Sequence, residues 1–187
     1  MSQLGLADET EDFDLAWTGT ERADGAPVWE MLKAVDPTFA VNTERTFQAR
    51  NAAAYEVEIL VAPSRAATLA RRDNPRPVPL PEQEWLLLGN PVDQVVACRD
   101  ATAARIVAPD PRWFALHKIW MSQQDKRDRL KRGKDLKQGM LLLDAVDEAM
   151  PHYPLDDAFE AALPGELSPL YARWTERRTE RAPPTWR

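Results

Sequence analysis

The sequence predicts an α/β (α+β) fold: a mixed sheet with flanking helices over residues 1–109, then a helical region over 110–187. Three observations carry this. Short stretches before residue 109 alternate polar and apolar residues with the period of two that a half-buried strand requires. Asn, Gly and Pro clusters separate those stretches as turns do. From Asp110-Pro111 onward the apolar residues recur every three or four positions, the period of a helix.

Taken in order, Asp12-Phe13-Asp14-Leu15-Ala16-Trp17 alternates and reads as a strand. Gly19 and Gly25 bracket a turn. Pro27 suits a first helical residue, and Val28, Met31, Leu32 and Val35 share one helical face up to the stop at Asp36-Pro37. Residues 45–50 and 55–62 read as a hairpin joined by Asn51 and three alanines. Residues 63–84 carry prolines at 63, 75, 77, 79 and 81 and read as a loop. A second hairpin is expected over 93–98 and 104–108. Asp110-Pro111 then caps a helix through Trp113, Leu116, His117 and Trp120. A longer helix is expected from about Lys126 to Met150, with Leu136, Met140 and Leu143 as its seam. One or two short helices follow Pro151 and Pro154.

Composition narrows the function classes. The 187 residues are 44% apolar and 29% charged, with a formal charge of −6, which suits a packed core and not a generally basic nucleic-acid coat. Cys98 alone excludes an intramolecular disulfide framework, and two histidines leave little for a His-built metal site. No apolar run reaches the roughly 18 residues of a membrane span, and the acidic first residues lack a basic-then-apolar leader. A soluble cytoplasmic protein without a membrane partner is expected. Charge is unevenly placed: residues 1–63 hold twelve acids against four bases, and 99–138 eleven bases against five acids. That pattern suits either two mutually attracting surfaces or an acidic cation site with a basic anion site.

Residues i and i+2 of a strand point the same way, so Asp12 and Asp14 share a face, as do Glu56 and Glu58. Carboxylates about 7 Å apart repel by roughly 2–3 kcal/mol at an effective dielectric near 20. Such acids either face water as ordinary polar strand faces or share a cation, and Mg²⁺ favours sites with few carboxylates and phosphate oxygens.

Thr10-Glu11-Asp12-Phe13-Asp14-Leu15 resembles the D-x-D strand of the polymerase-β-like nucleotidyltransferase superfamily, and Tyr55-Glu56-Val57-Glu58-Ile59-Leu60 resembles the strand supplying its third acid. The segments Val107–Lys118 and Lys131–Gln138 resemble paired helical motifs of a bacterial nucleotidyltransferase-like branch. The likeness covers roughly residues 8 to 150. It implies transfer of a nucleoside monophosphate from a Mg²⁺-bound nucleoside triphosphate, such as ATP, to an acceptor hydroxyl. Asp12 and Asp14 would hold metal, Glu58 would complete the carboxylate set, and Lys118, Lys134 and Arg112 would neutralise phosphate charge. Asp135 would orient Lys134. The acceptor stays open between a protein and tRNA. The likeness departs at the N-terminus, where a Gly-Ser turn and helix precede the D-x-D strand in the superfamily. Either the true start lies upstream or the triphosphate grip is lost; the second case makes the chain an impaired module that binds a protein partner, as in a toxin–antitoxin pair. A metal-dependent nuclease ranks last, because Glu56-Val57-Glu58 lacks the lysine of an E-x-K site.

Other residues carry blander expectations: His117 a hydrogen-bonded core histidine, Trp113 and Trp120 core packing, Trp174 and Trp186 an interaction surface, Cys98 an inert thiol.

Overall fold

The computed structural model describes residues 12–19, 28–68, 76–98 and 101–181, with the side chain of Asp12 outside the description. The expected turn at Gly25, the Arg71-Arg72 pair, Trp186 and the segment before Asp12 lie outside the described residues. The described chain divides into two compact units that meet in sequence between Leu87 and Leu88. The change of character anticipated at residue 109 is the step from the last strand to the first long helix.

The first unit is built on a mixed sheet. Its strands are β1 (Asp12–Trp17), β2 (Ala40–Val41), β3 (Gln48–Arg50), β4 (Glu56–Val61) and β5 (Val78–Pro79), in the order β1-β4-β3-β2, with β5 extending the β4 edge beyond β3. β1 runs parallel to β4, and β3 antiparallel to it as the expected hairpin. The hairpin turn is held by Asn51, whose Oδ1 accepts from the Tyr55 backbone N–H at 2.9 Å; Ala54 takes a left-handed φ of 69° there. β4 alternates cleanly: Val57, Ile59 and Val61 are buried, while Glu56, Glu58 and Leu60 are half-buried on the other face. Helix α1 (Val28–Val35) covers the apolar face, where Leu32, Phe39, Ala49, Val57 and Ile59 form the core with Val28 and Trp29 against them.

Two expectations change here. Met31 and Val35 are exposed, because Val28, Trp29 and Leu32 are the residues turned to the sheet. The proline-rich stretch is not a plain loop: it contains α2 (Pro63–Ala66), β5 and a 3-10 helix (Pro81–Leu87). Pro63 and Pro81 open helical turns and Pro79 lies in a two-residue edge strand, positions that tolerate the missing N–H. Ser64 ties the two short helices together, giving its backbone N–H and its hydroxyl to the Glu84 carboxylate at 2.6 and 2.8 Å.

The second unit contains a separate antiparallel ribbon, β6 (Val92–Ala97) with β7 (Ala103–Ala108), and the helices α3 (Pro111–Met121), α4 (Arg129–Ala149), α5 (Asp157–Ala161) and α6 (Ser168–Arg181). α3 begins as expected, with Asp110 accepting from the Arg112 N–H and Pro111 in the first turn. α4 meets α3 at Gly139, where an added Cβ would lie 2.6 Å from the Ala115 carbonyl oxygen. That approach sets the rotation of α4. Its buried residues are Asp135, Gly139, Leu142, Leu143 and Val146, whereas Leu136 of the expected seam is exposed. α6, at 14 residues, is no short helix. Trp174 is 1% exposed, not an interaction surface: it stacks on Tyr171 and donates Nε1–H to Asp144 at 2.7 Å. Trp113, Phe159 and Tyr171 continue that aromatic core edge to face. Cys98 is half-buried just past β6. Among the described residues no helix is long and apolar enough to cross a membrane.

Candidate functional site

The register of β1 on β4 sets the acidic residues side by side. Asp14 is the partner of Glu58 and Asp12 of Glu56, in parallel strands whose axes lie about 4.8 Å apart. Partners in register point to the same face, so the Asp14 and Glu58 side chains leave the sheet together, away from the α1-covered core. Asp14 is exposed and Glu58 half-buried. The neighbouring β3 continues both rows, with Gln48 beside Glu58 and Arg50 beside Glu56.

Gln48 is 3% exposed, a rare burial for a neutral amide. Its Nε2 donates to Glu56 Oε2 at 3.1 Å and to Glu58 Oε1 at 3.0 Å, and its Oε1 accepts from Asn42 Nδ2 at 2.7 Å. The two acceptor oxygens therefore lie within about 6 Å of each other, the sum of the two bond lengths. At about 6 Å two full negative charges repel by about 3 kcal/mol at an effective dielectric near 20, and more at any shorter distance. The shared amide, and Arg50 Nε at 3.6 Å from Glu56 Oε1, offset this.

Asp14 and Glu58 are hard oxygen donors on adjacent strands, and the chemistry of the pair fits Mg²⁺, which takes one or two carboxylates and fills its other positions with water and phosphate oxygens. Among the described residues, no three His, Cys, Asp or Glu side chains form a cluster arranged for a metal ion. The Asp12 side chain stands outside that statement.

The basic candidates belong to the helical unit. Arg112 was expected to meet phosphate. It is instead buried against Asp110, with Nε 3.1 Å from Oδ1 and Nη2 2.7 Å from Oδ2, while Nη1 donates to the Pro154 carbonyl at 2.9 Å. The guanidinium also lies over the Phe159 ring, 4.7 Å from its centroid. Such a buried fork-to-fork pair builds the start of α3 and leaves the cation no open side.

Lys118 Nζ pairs with Asp135 Oδ1 at 3.3 Å, and Arg127 Nε donates to Asp135 Oδ2 at 2.7 Å. Asp135 thus orients Lys118 and Arg127, where the sequence suggested Lys134; Lys134 is exposed on α4. Burial pushes the Asp135 carboxyl up, but the Arg127 hydrogen bond and the two cations outweigh it and hold it below its ordinary value. His117 is buried as expected, yet neither ring nitrogen has a hydrogen-bond partner. Burial first, then the neighbouring Lys118 cation, depresses its pKa from 6.5 to about 4. A group so far from the neutral range and sealed in the helix packing is a poor proton shuttle at pH 7.

Sequence reasoning passed over Gln48 and Arg127, and read Asp110 as a helix cap without its pairing to Arg112. Gln48 carried one signal: it precedes Arg50 by two on an expected strand and so shares its face.

A family model described as Nucleotidyltransferase matches residues 6–164. The chain belongs to the nucleotidyltransferase family. The match runs through the β1–β4 acid pair and both helical motifs, as the resemblance implied. No curated protein and no solved structure matches the chain. Family membership gives the acid pair a context that paired carboxylates alone lack: nucleotidyl transfer, with a nucleoside triphosphate as donor.

Proposed function

We propose that the chain transfers a nucleoside monophosphate from a Mg²⁺-bound nucleoside triphosphate to an acceptor hydroxyl, with Asp14 and Glu58 as metal-holding carboxylates and Asp12 as the third. The observation that carries this reading is the in-register pairing of Asp14 with Glu58 across parallel strands, in a chain of the nucleotidyltransferase family. A divalent ion held there would neutralise charge on the triphosphate and raise the nucleophilicity of the acceptor oxygen. The chain's own contribution is placement. The β1–β4 register fixes two carboxylates to one face, and the buried Gln48 amide holds Glu58 at a set rotation.

Calorimetry with ATP, with and without Mg²⁺, tests the proposal. Nucleotide binding should require the metal. Asp14→Asn should weaken it by at least the tenfold to hundredfold that even outer partners of a metal command, and should abolish label transfer from α-labelled ATP to protein or bulk tRNA. Binding that is indifferent to both Mg²⁺ and Asp14→Asn would refute the enzyme and favour the impaired, partner-binding module.

A further inference from the structure

The amide of Gln48 can point only one way, and the reason lies two residues beyond the acids. The chain of donors begins at backbone. The N–H groups of Glu44 and Arg45 donate to Asn42 Oδ1 at 2.9 and 3.1 Å, which turns Asn42 Nδ2 toward Gln48. That nitrogen donates to Gln48 Oε1 at 2.7 Å, leaving Gln48 Nε2 to serve Glu56 and Glu58 with one N–H each. Reversing the Gln48 amide would set an oxygen about 3 Å from two carboxylate oxygens and a nitrogen against the Asn42 nitrogen, repulsive at both ends. The backbone turn thus dictates which way a buried side chain faces the acidic row.

We infer that Gln48, oriented by Asn42, is a positioning residue for the Glu58 carboxyl: it fixes the rotation of Glu58 beside Asp14. This rests on the reading of Asp14 and Glu58 as a metal-holding pair. Ligands that are themselves held by hydrogen bonds bind metal more tightly, because the ion need not order them.

The test is Mn²⁺ binding to the full chain, read as free Mn²⁺ by electron paramagnetic resonance. Asn42→Asp keeps Oδ1 for the two backbone donors and replaces the Nδ2 donor by oxygen. The Gln48 amide then rotates to donate to it and turns its own oxygen on Glu58. Binding should fall about tenfold to hundredfold, although the added negative charge by itself would strengthen it. Gln48→Met, nearly equal in shape but without the donor, should do the same. In a Glu58→Gln background neither change should weaken binding further, since the shared partner is already gone. Should Gln48→Met fail to fold, Asn42→Asp decides, its site being a half-buried turn. The inference is overturned if the parent chain binds Mn²⁺ and the Asn42→Asp chain binds it as tightly, or if the loss persists in the Glu58→Gln background. A parent chain that binds no Mn²⁺ overturns the Asp14–Glu58 reading itself, and the role of Gln48 with it.

Discussion

His117 sets up a pH-dependent stability whose size follows from its surroundings. The neutral imidazole carries one N–H donor and one acceptor, and both nitrogens are buried without a partner. Phe114 stacks on it with ring centroids 6.5 Å apart, and the charges of Lys118, Arg127 and Asp135 act on it. Two cations outweigh one carboxylate, so protonation inside the fold is opposed by burial and by net charge. The folded pKa of about 4 lies below the 6.5 of an unfolded chain. As pH falls below 6.5 the unfolded chain takes up the proton first. Stability present above pH 6.5 is therefore lost down to about pH 4, and no further loss from this group follows below that. A gap of about 2.5 pK units, at 1.36 kcal/mol each, amounts to about 3 kcal/mol. The Asp135 carboxyl, held below its ordinary value, loses its contribution only at lower pH, so the two windows separate. His117→Leu removes the titrating ring and two unsatisfied nitrogens. At pH 8 the variant should be at least as stable as the parent, and its advantage should grow by about 3 kcal/mol on going to pH 4. Urea titrations at unit pH steps, followed by tryptophan fluorescence, measure the difference, and the carboxylates common to both chains cancel in it. A difference that stays constant within 1 kcal/mol across that range would refute the reasoning.

Other substitutions probe the frame of the helical unit. Asp110→Ala strands a buried guanidinium and removes the α3 cap and an acceptor for the Asn90 N–H, so it should cost about 3–5 kcal/mol by denaturant unfolding, while Asp110→Asn should cost clearly less. Glycines 139 and 133 of α4 should respond with opposite signs. Gly139→Ala meets a backbone oxygen and should destabilise by about 1–2 kcal/mol, whereas Gly133→Ala meets nothing within 4 Å and should gain up to about 1 kcal/mol. Thermal melts of the two variants side by side read the contrast.

Period and punctuation alone determined much of this protein. Alternation marked β1 and β4, Asn51 marked the hairpin between β3 and β4, and Asp110-Pro111 marked the start of α3, because strand pleat, turn chemistry and helix capping are local properties. The motifs around the acids and in the two helices also indicated the nucleotidyltransferase family. What tertiary structure decided was partnership. Which strand lies beside β1, and in what register, is a long-range choice that no single segment encodes; only that pairing sets Asp14 against Glu58. The same holds for charge. A sequence shows Arg112 and Lys118 as cations, but whether each meets water or a carboxylate depends on what folding brings near, and folding supplied Asp110 and Asp135. Rotation of α4 followed from the depth of one glycine against α3, so Asp135 went inward and Leu136 outward. Gln48 carries only its strand position in sequence, because a glutamine on a strand is ordinarily a surface residue; burial beside two glutamates, with its amide direction set from a backbone turn, gives it meaning.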